Sequence, residues 1–86
     1  MPEISRFYGI KIKMYYQDHS PPHLHAEYQE FKAKYNIKTL EILAGKLPKR
    51  ANSLVLEWAF EHRVELLENW ELASIPKKLN KIKPLT

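Results

Sequence analysis

Between Phe7 and Tyr16, Ile10, Ile12, Met14 and Tyr16 alternate with Lys11, Lys13 and Tyr15. This period of two predicts a strand with one wet face. Gly9, near its start, reads as a bulge or a close backbone approach. A second strand is expected over 23–28, with Leu24, Ala26 and Tyr28 facing the core and His23, His25 and Glu27 facing water. The third, 31–37, puts Phe31, Ala33, Tyr35 and Ile37 inward and Lys32, Lys34 and Asn36 outward. A short turn at Gln29-Glu30 pairs Glu27 with Lys32, Ala26 with Ala33 and His25 with Lys34. Apolar then meets apolar and polar meets polar, so a one-residue slip is costly. Gln-Glu is poor chemistry for a two-residue primed turn, and a four-residue loop over 28–31 would keep the same register.

A short fourth strand is expected over 40–43, after a turn at Lys38-Thr39. Beyond Pro48, Ala51, Leu54, Val55, Trp58, Ala59, His62, Leu66, Trp70 and Ala73 recur mostly at steps of three and four. That spacing predicts an amphipathic helical segment. It is long for one helix in so small a domain, so a break is expected near 62–65. Pro76 ends it. The outline is α+β, an antiparallel meander of three to four strands packed against a long C-terminal helix or helix pair. It forms a single domain over 1–86: meander 1–46, helical segment 47–75 and basic tail 76–86.

Length and composition narrow the function. Eighty-six residues hold one modest core, which a dimer or partner protein would supplement. The chain has no cysteine, which excludes disulfides, thiolate nucleophiles and cysteine-ligated zinc. No stretch suits a signal peptide or a membrane span, so the cytoplasm is the expected compartment. The net charge of +4 is unevenly spread. Residues 1–50 and 75–86 each carry +4, whereas 51–74 carry −4 through Glu57, Glu61, Glu65, Glu68 and Glu71. An anionic partner would therefore meet the first half or the tail.

Candidate chemistry concentrates in Asp18-His19-Ser20-Pro21-Pro22-His23-Leu24-His25. Ser20 and Pro21 both precede proline and are biased to extended backbone, which makes a stiff connection. Four readings of this stretch compete. His-x-His on a strand, with His19 or Asp18, suits a divalent ion such as zinc, although nearby lysines disfavour a bare cation. Histidine beside lysine also suits acid–base work on a phosphodiester. A basic face with tyrosines suits nucleic-acid binding without catalysis. The plainest reading makes Asp18 and His19 turn caps and leaves the strand histidines as exposed filler. Elsewhere, His62 reads as a hydrogen-bonded core-boundary residue, and Trp58 and Trp70 as core.

Several segments resemble a known family. Ile4-Ser5-Arg6-Phe7-Tyr8-Gly9-Ile10, Met14-Tyr15-Tyr16, Asp18-His19, Pro21-Pro22-His23 and His25-Ala26 look like the opening of domain-of-unknown-function family 4160. Leu47-Pro48, Glu57-Trp58-Ala59, His62-Arg63, 65–70 and Ile82-Lys83-Pro84-Leu85 look like the remainder. The chain departs at Gln29 and Leu40, where members tend to carry turn glycines. The resemblance implies a small prokaryotic protein that pairs with another short protein, in the manner of a toxin–antitoxin module, and it brings no established catalytic residue. The resulting expectation is a protein that binds or cleaves RNA or DNA. His19, His23 and His25 would be its proton-exchanging residues, and Lys11, Lys13, Tyr15, Lys32 and Lys34 its nucleic-acid contacts. No metal or other cofactor belongs to that expectation. The alternative is an interaction module that offers its acidic helix to a protein partner.

Overall fold

The computed structural model describes residues 3–86, and Met1 and Pro2 lie outside the described residues. One antiparallel sheet runs in chain order: β1 (Glu3–Phe7), β2 (Ile10–Lys13), β3 (His23–Tyr28), β4 (Phe31–Asn36) and β5 (Ile42–Gly45). Helices α1 (Lys49–Glu61) and α2 (Arg63–Ser74) follow. The architecture is the expected α+β layering, with five strands in place of three or four.

The extra strand comes from the N-terminal stretch that read as one. Phe7 pairs with Ile10, leaving Tyr8 and Gly9 as a two-residue turn with φ of 50° and 79°. Positive φ at both central residues marks a primed hairpin turn, whose twist matches that of the flanking strands. Gly9 is therefore a turn residue, and the bulge lies at Ile4, where the β1–β2 register shifts. β2 ends at Lys13, and Tyr16, expected in the core, is exposed. β5 also starts two residues later than expected. Asn36 accepts the backbone N–H groups of Lys38 and Thr39 on its side-chain oxygen and so extends the turn.

The β3–β4 pairing is as expected, with Glu27 opposite Lys32, Ala26 opposite Ala33 and His25 opposite Lys34. Tyr28 pairs with Phe31, so the connection is the two-residue turn. Gln29 takes φ 55° there, and Leu40 takes φ 64° in the next turn. These left-handed conformations suit glycine, which neither position carries.

Because register is kept across strands, whole rows share a face. Ser5, Ile12, Ala26, Ala33 and Gly45 form a row on the core side. The next row, Lys13, His25, Lys34 and Ala44, belongs to the opposite face. Helix α1 covers the core side with Ala51, Val55, Trp58 and Ala59. The break between helices falls at His62, inside the expected interval, and His62 is half-buried beside Glu65.

The tail is not a loose basic extension. Leu79 and Ile82 are buried, Ile82 donates its N–H to the Ile4 carbonyl, and the Trp58 indole donates to the Lys83 carbonyl. Buried Asn69 exchanges two hydrogen bonds with the Asn80 backbone. Each such bond contributes about 1 kcal/mol, so the tail closes the β1 side of the core.

Replacing Gln29 by glycine should remove the left-handed penalty of about 1 kcal/mol. Chemical denaturation is expected to show a midpoint shifted upward with unchanged slope. A lower midpoint would mean that the Gln29 side chain contributes more than its backbone costs.

Candidate functional site

The histidine loop leaves β2, crosses the start of β3 and is tied to α2, because Gln17 donates its backbone N–H to the Ala73 carbonyl. The Ser20–Pro21 peptide is cis. This path brings Asp18 back over β3, where one of its oxygens meets two rings. Asp18 Oδ2 lies 2.9 Å from His23 Nε2 and 3.1 Å from His25 Nε2. The other oxygen, Oδ1, accepts the His19 backbone N–H at 2.8 Å. Asp18 thus does more than cap a turn. It joins the loop to the strand.

The two strand histidines share a face, as parity requires, and their ring centres are 5.0 Å apart. Their environments differ. His23 was expected to face water, yet it is 3% exposed. The loop covers that end of the sheet, and Trp70 of α2 packs 5.1 Å from the His23 ring. So covered, the His23 ring offers far less surface to a large substrate than His25 does. His25 is half-buried, with the Tyr15 ring edge-on at 4.4 Å. The His19 side chain is exposed and outside the cluster, at the mouth of a groove it shares with Asp18, His23 and Lys34.

His23 has one further constraint. Its Nδ1 lies 2.8 Å from the Pro21 carbonyl oxygen, which can only accept. Nδ1 therefore carries a proton, and Nε2 is the atom turned toward the carboxylate.

Partial burial pushes the Asp18 carboxyl upward, but donors from His25, the His19 backbone and His23 outweigh it and hold it below its ordinary value. Burial pulls His25 below the usual imidazole value. The Asp18 hydrogen bond opposes this, and the nearby charges of His23 and Lys34 reinforce it. Burial thus favours the neutral His25 ring, and Asp18 orients it.

Beside His25 a groove of about 250 Å³ runs over the outer face, lined by Tyr15, His25, Glu27, Lys32, Lys34 and Gly45. Gly45 is fixed there by sterics, since a Cβ would stand 2.1 Å from the Lys32 carbonyl oxygen at a φ of 74°. Lys32 and Lys34 are exposed and pair with no carboxylate among the described residues. Lys13 differs, because its ammonium is 3.2 Å from Glu27. Lys11 is half-buried one row away and does not line the groove. The structure therefore gathers Tyr15, His25, Lys32 and Lys34 and sets Lys11, Lys13 and His19 apart. Asp18 was the under-read residue. Its place seven positions before His25 gave no periodic signal, and only the stiff Ser-Pro-Pro path hinted at a return.

A family model described as a domain of unknown function, DUF4160, matches residues 9–71. The chain belongs to the DUF4160 family. No curated protein and no solved structure matches it. The matched segment contains the whole Asp18–His23–His25 cluster and the lysine groove, whereas the closing tail lies beyond it. Among the described residues no helix is long and apolar enough to cross a membrane.

The His23 tautomer is directly testable. Long-range proton–nitrogen correlation spectra at neutral pH should show His23 Nδ1 protonated, with its proton exchanging slowly. An unprotonated Nδ1 would contradict the Pro21 hydrogen bond.

Proposed function

We propose that this DUF4160 protein binds single-stranded nucleic acid along the outer face of β3 and β4. Backbone phosphates would be presented there to the Asp18–His23–His25 cluster. The supporting observation is the pair of lysines, Lys32 and Lys34, unpartnered by carboxylates among the described residues, on a groove that also exposes an oriented imidazole and Tyr15. Ammonium groups with no internal carboxylate are available to neutralise phosphate, and a tyrosine rim allows a base to stack. The role fits the nucleic-acid-directed member of a toxin–antitoxin-type pair. His25 is the residue placed to act on the bound backbone, in place of the three-histidine set that the loop alone suggested.

Fluorescence anisotropy with a short single-stranded RNA tests this reading. Substituting Lys32 and Lys34 together by alanine should weaken binding uniformly across sequences and reduce the salt slope by about 1 to 2. His25→Ala should abolish backbone cleavage while the fold persists. Affinity unaffected by the lysine pair but lost on changing Lys77 and Lys78 would transfer the binding to the tail and defeat the assignment.

A second reading, docking of a basic protein on the helical layer, is favoured by one observation. Phe60 and Val64 are 67% and 71% exposed and share that surface with exposed Glu57, Glu61 and Glu68. Exposed apolar side chains on an acidic helical layer, with the Arg63 guanidinium over the Phe60 ring, are the kind of surface that marks a partner site. Serine at both positions should then abolish capture of the partner while leaving oligonucleotide binding intact. Retained capture would remove this reading.

A further inference from the structure

We infer that Asp18, His23 and His25 form a binding site for a single first-row divalent cation of the zinc or iron(II) type. This deepens the preceding proposal, because it names the cofactor of the same cluster, and it rests on that proposal for the cluster's use but not for the metal itself. Three features of the geometry fit the ion.

The first is convergence. Two imidazole Nε2 atoms and one carboxylate oxygen lie together, all within 4.8 Å of one another. The nitrogen–oxygen separations of 2.9 and 3.1 Å match neighbouring ligands around an ion held at about 2.0–2.2 Å. Two histidines and one carboxylate make a facial set that leaves positions open.

The second is the proton inventory at His23. With Nδ1 donating to Pro21, a neutral ring turns the Nε2 lone pair directly at an anionic oxygen. Such a contact needs a positive centre, which either a second proton on Nε2 or a metal ion bound to both atoms supplies. His25 joins by moving its proton from Nε2 to Nδ1, so no net charge is created on the ring.

The third is the supporting shell. A metal-binding histidine usually donates its second ring N–H to a carbonyl or carboxylate, and ligating carboxylates are themselves hydrogen-bonded. Here His23 Nδ1–H meets the Pro21 carbonyl, and the His19 backbone N–H fixes the second Asp18 oxygen. Trp70 packs on one ring and Tyr15 on the other. The donor atoms are held before any ion arrives, which limits the ordering cost of binding.

Thiolate-free nitrogen and oxygen donors suit zinc, iron, cobalt or manganese in preference to copper(I). Asp18 and His23 line a second groove together with Lys34, so water and a phosphate oxygen could share the ion. A bound cation would polarise that phosphate and make its water more acidic.

Titration of the metal-stripped full-length protein with Zn2+ and Co2+, followed by calorimetry and by visible absorption of Co2+, tests the inference. One equivalent should bind, and thermal denaturation should shift upward with free ion concentration. Asp18→Asn and His25→Ala should each weaken binding at least 100-fold, while His62→Ala, remote from the cluster, should bind as the unaltered protein does. His23 is buried, so a His23→Ala variant that fails to fold decides nothing, and His25→Ala, at a half-exposed position, provides the independent check. Absence of stoichiometric binding at millimolar ion, or binding unchanged in both Asp18→Asn and His25→Ala, overturns the site. RNA binding that persists when no ion binds would overturn this inference alone. One bound ion without RNA binding would support it and defeat the nucleic-acid reading instead.

Discussion

A single carboxylate oxygen organises the candidate site of this molecule. Asp18 Oδ2 is shared by the Nε2 atoms of His23 and His25, and that sharing sets where the loop lies, how both rings are turned and what the outer face of β3 can do. Without the carboxylate, the loop would keep the Gln17 bond to α2, the Ile37 N–H bond to the Pro22 carbonyl and the His23–Pro21 bond, but it would lose its link to His25. The site is therefore built by contact between a connection and a strand, not by the strand alone. Its rigidity comes from outside the cluster, from Trp70 on α2 and from the Pro21 carbonyl. The helical layer thus reaches across the sheet edge to steady the opposite face.

Much of the sheet could be read from side-chain parity. The β3–β4 register followed from matching Ala26 with Ala33 and His25 with Lys34, because only one register satisfies both faces. The helix break at His62 followed from length. What parity could not reveal was the turn at Tyr8-Gly9, since a tight hairpin interrupts the alternation by only two residues and leaves Phe7 and Ile10 both inward. At Gln29 and Leu40 the turns are expected, but the left-handed backbone is not signalled by the residue types. That conformation is imposed by the strands they connect.

The site was legible in part for the same physical reason. Parity placed His23 and His25 together correctly, but it says nothing about what covers a face. His23 is buried because a loop and a tryptophan from a distant helix arrive there, a tertiary fact without a local pattern. The tail shows the same gap. Four lysines over 77–83 advertise solvent, yet the intervening Leu79 and Ile82 carry that segment into the core.

One tension in the sequence resolves in the structure. Lysines near the histidines argue against a cation there, since like charges repel through a poorly screened interior. The geometry separates the two kinds of charge. Lys13 is neutralised by Glu27, while Lys32 and Lys34 are exposed on the groove. The cluster has its own anion in Asp18, and partial burial strengthens that charge for any cation held against it. An ion bound to the triad would leave a net positive centre beside two ammonium groups, an arrangement stabilised when an anion fills the groove. A phosphate backbone is such an anion. On the proposed reading the lysines oppose the metal while the groove is empty and a bound phosphate would offset that repulsion, so ion and phosphate should each tighten the binding of the other.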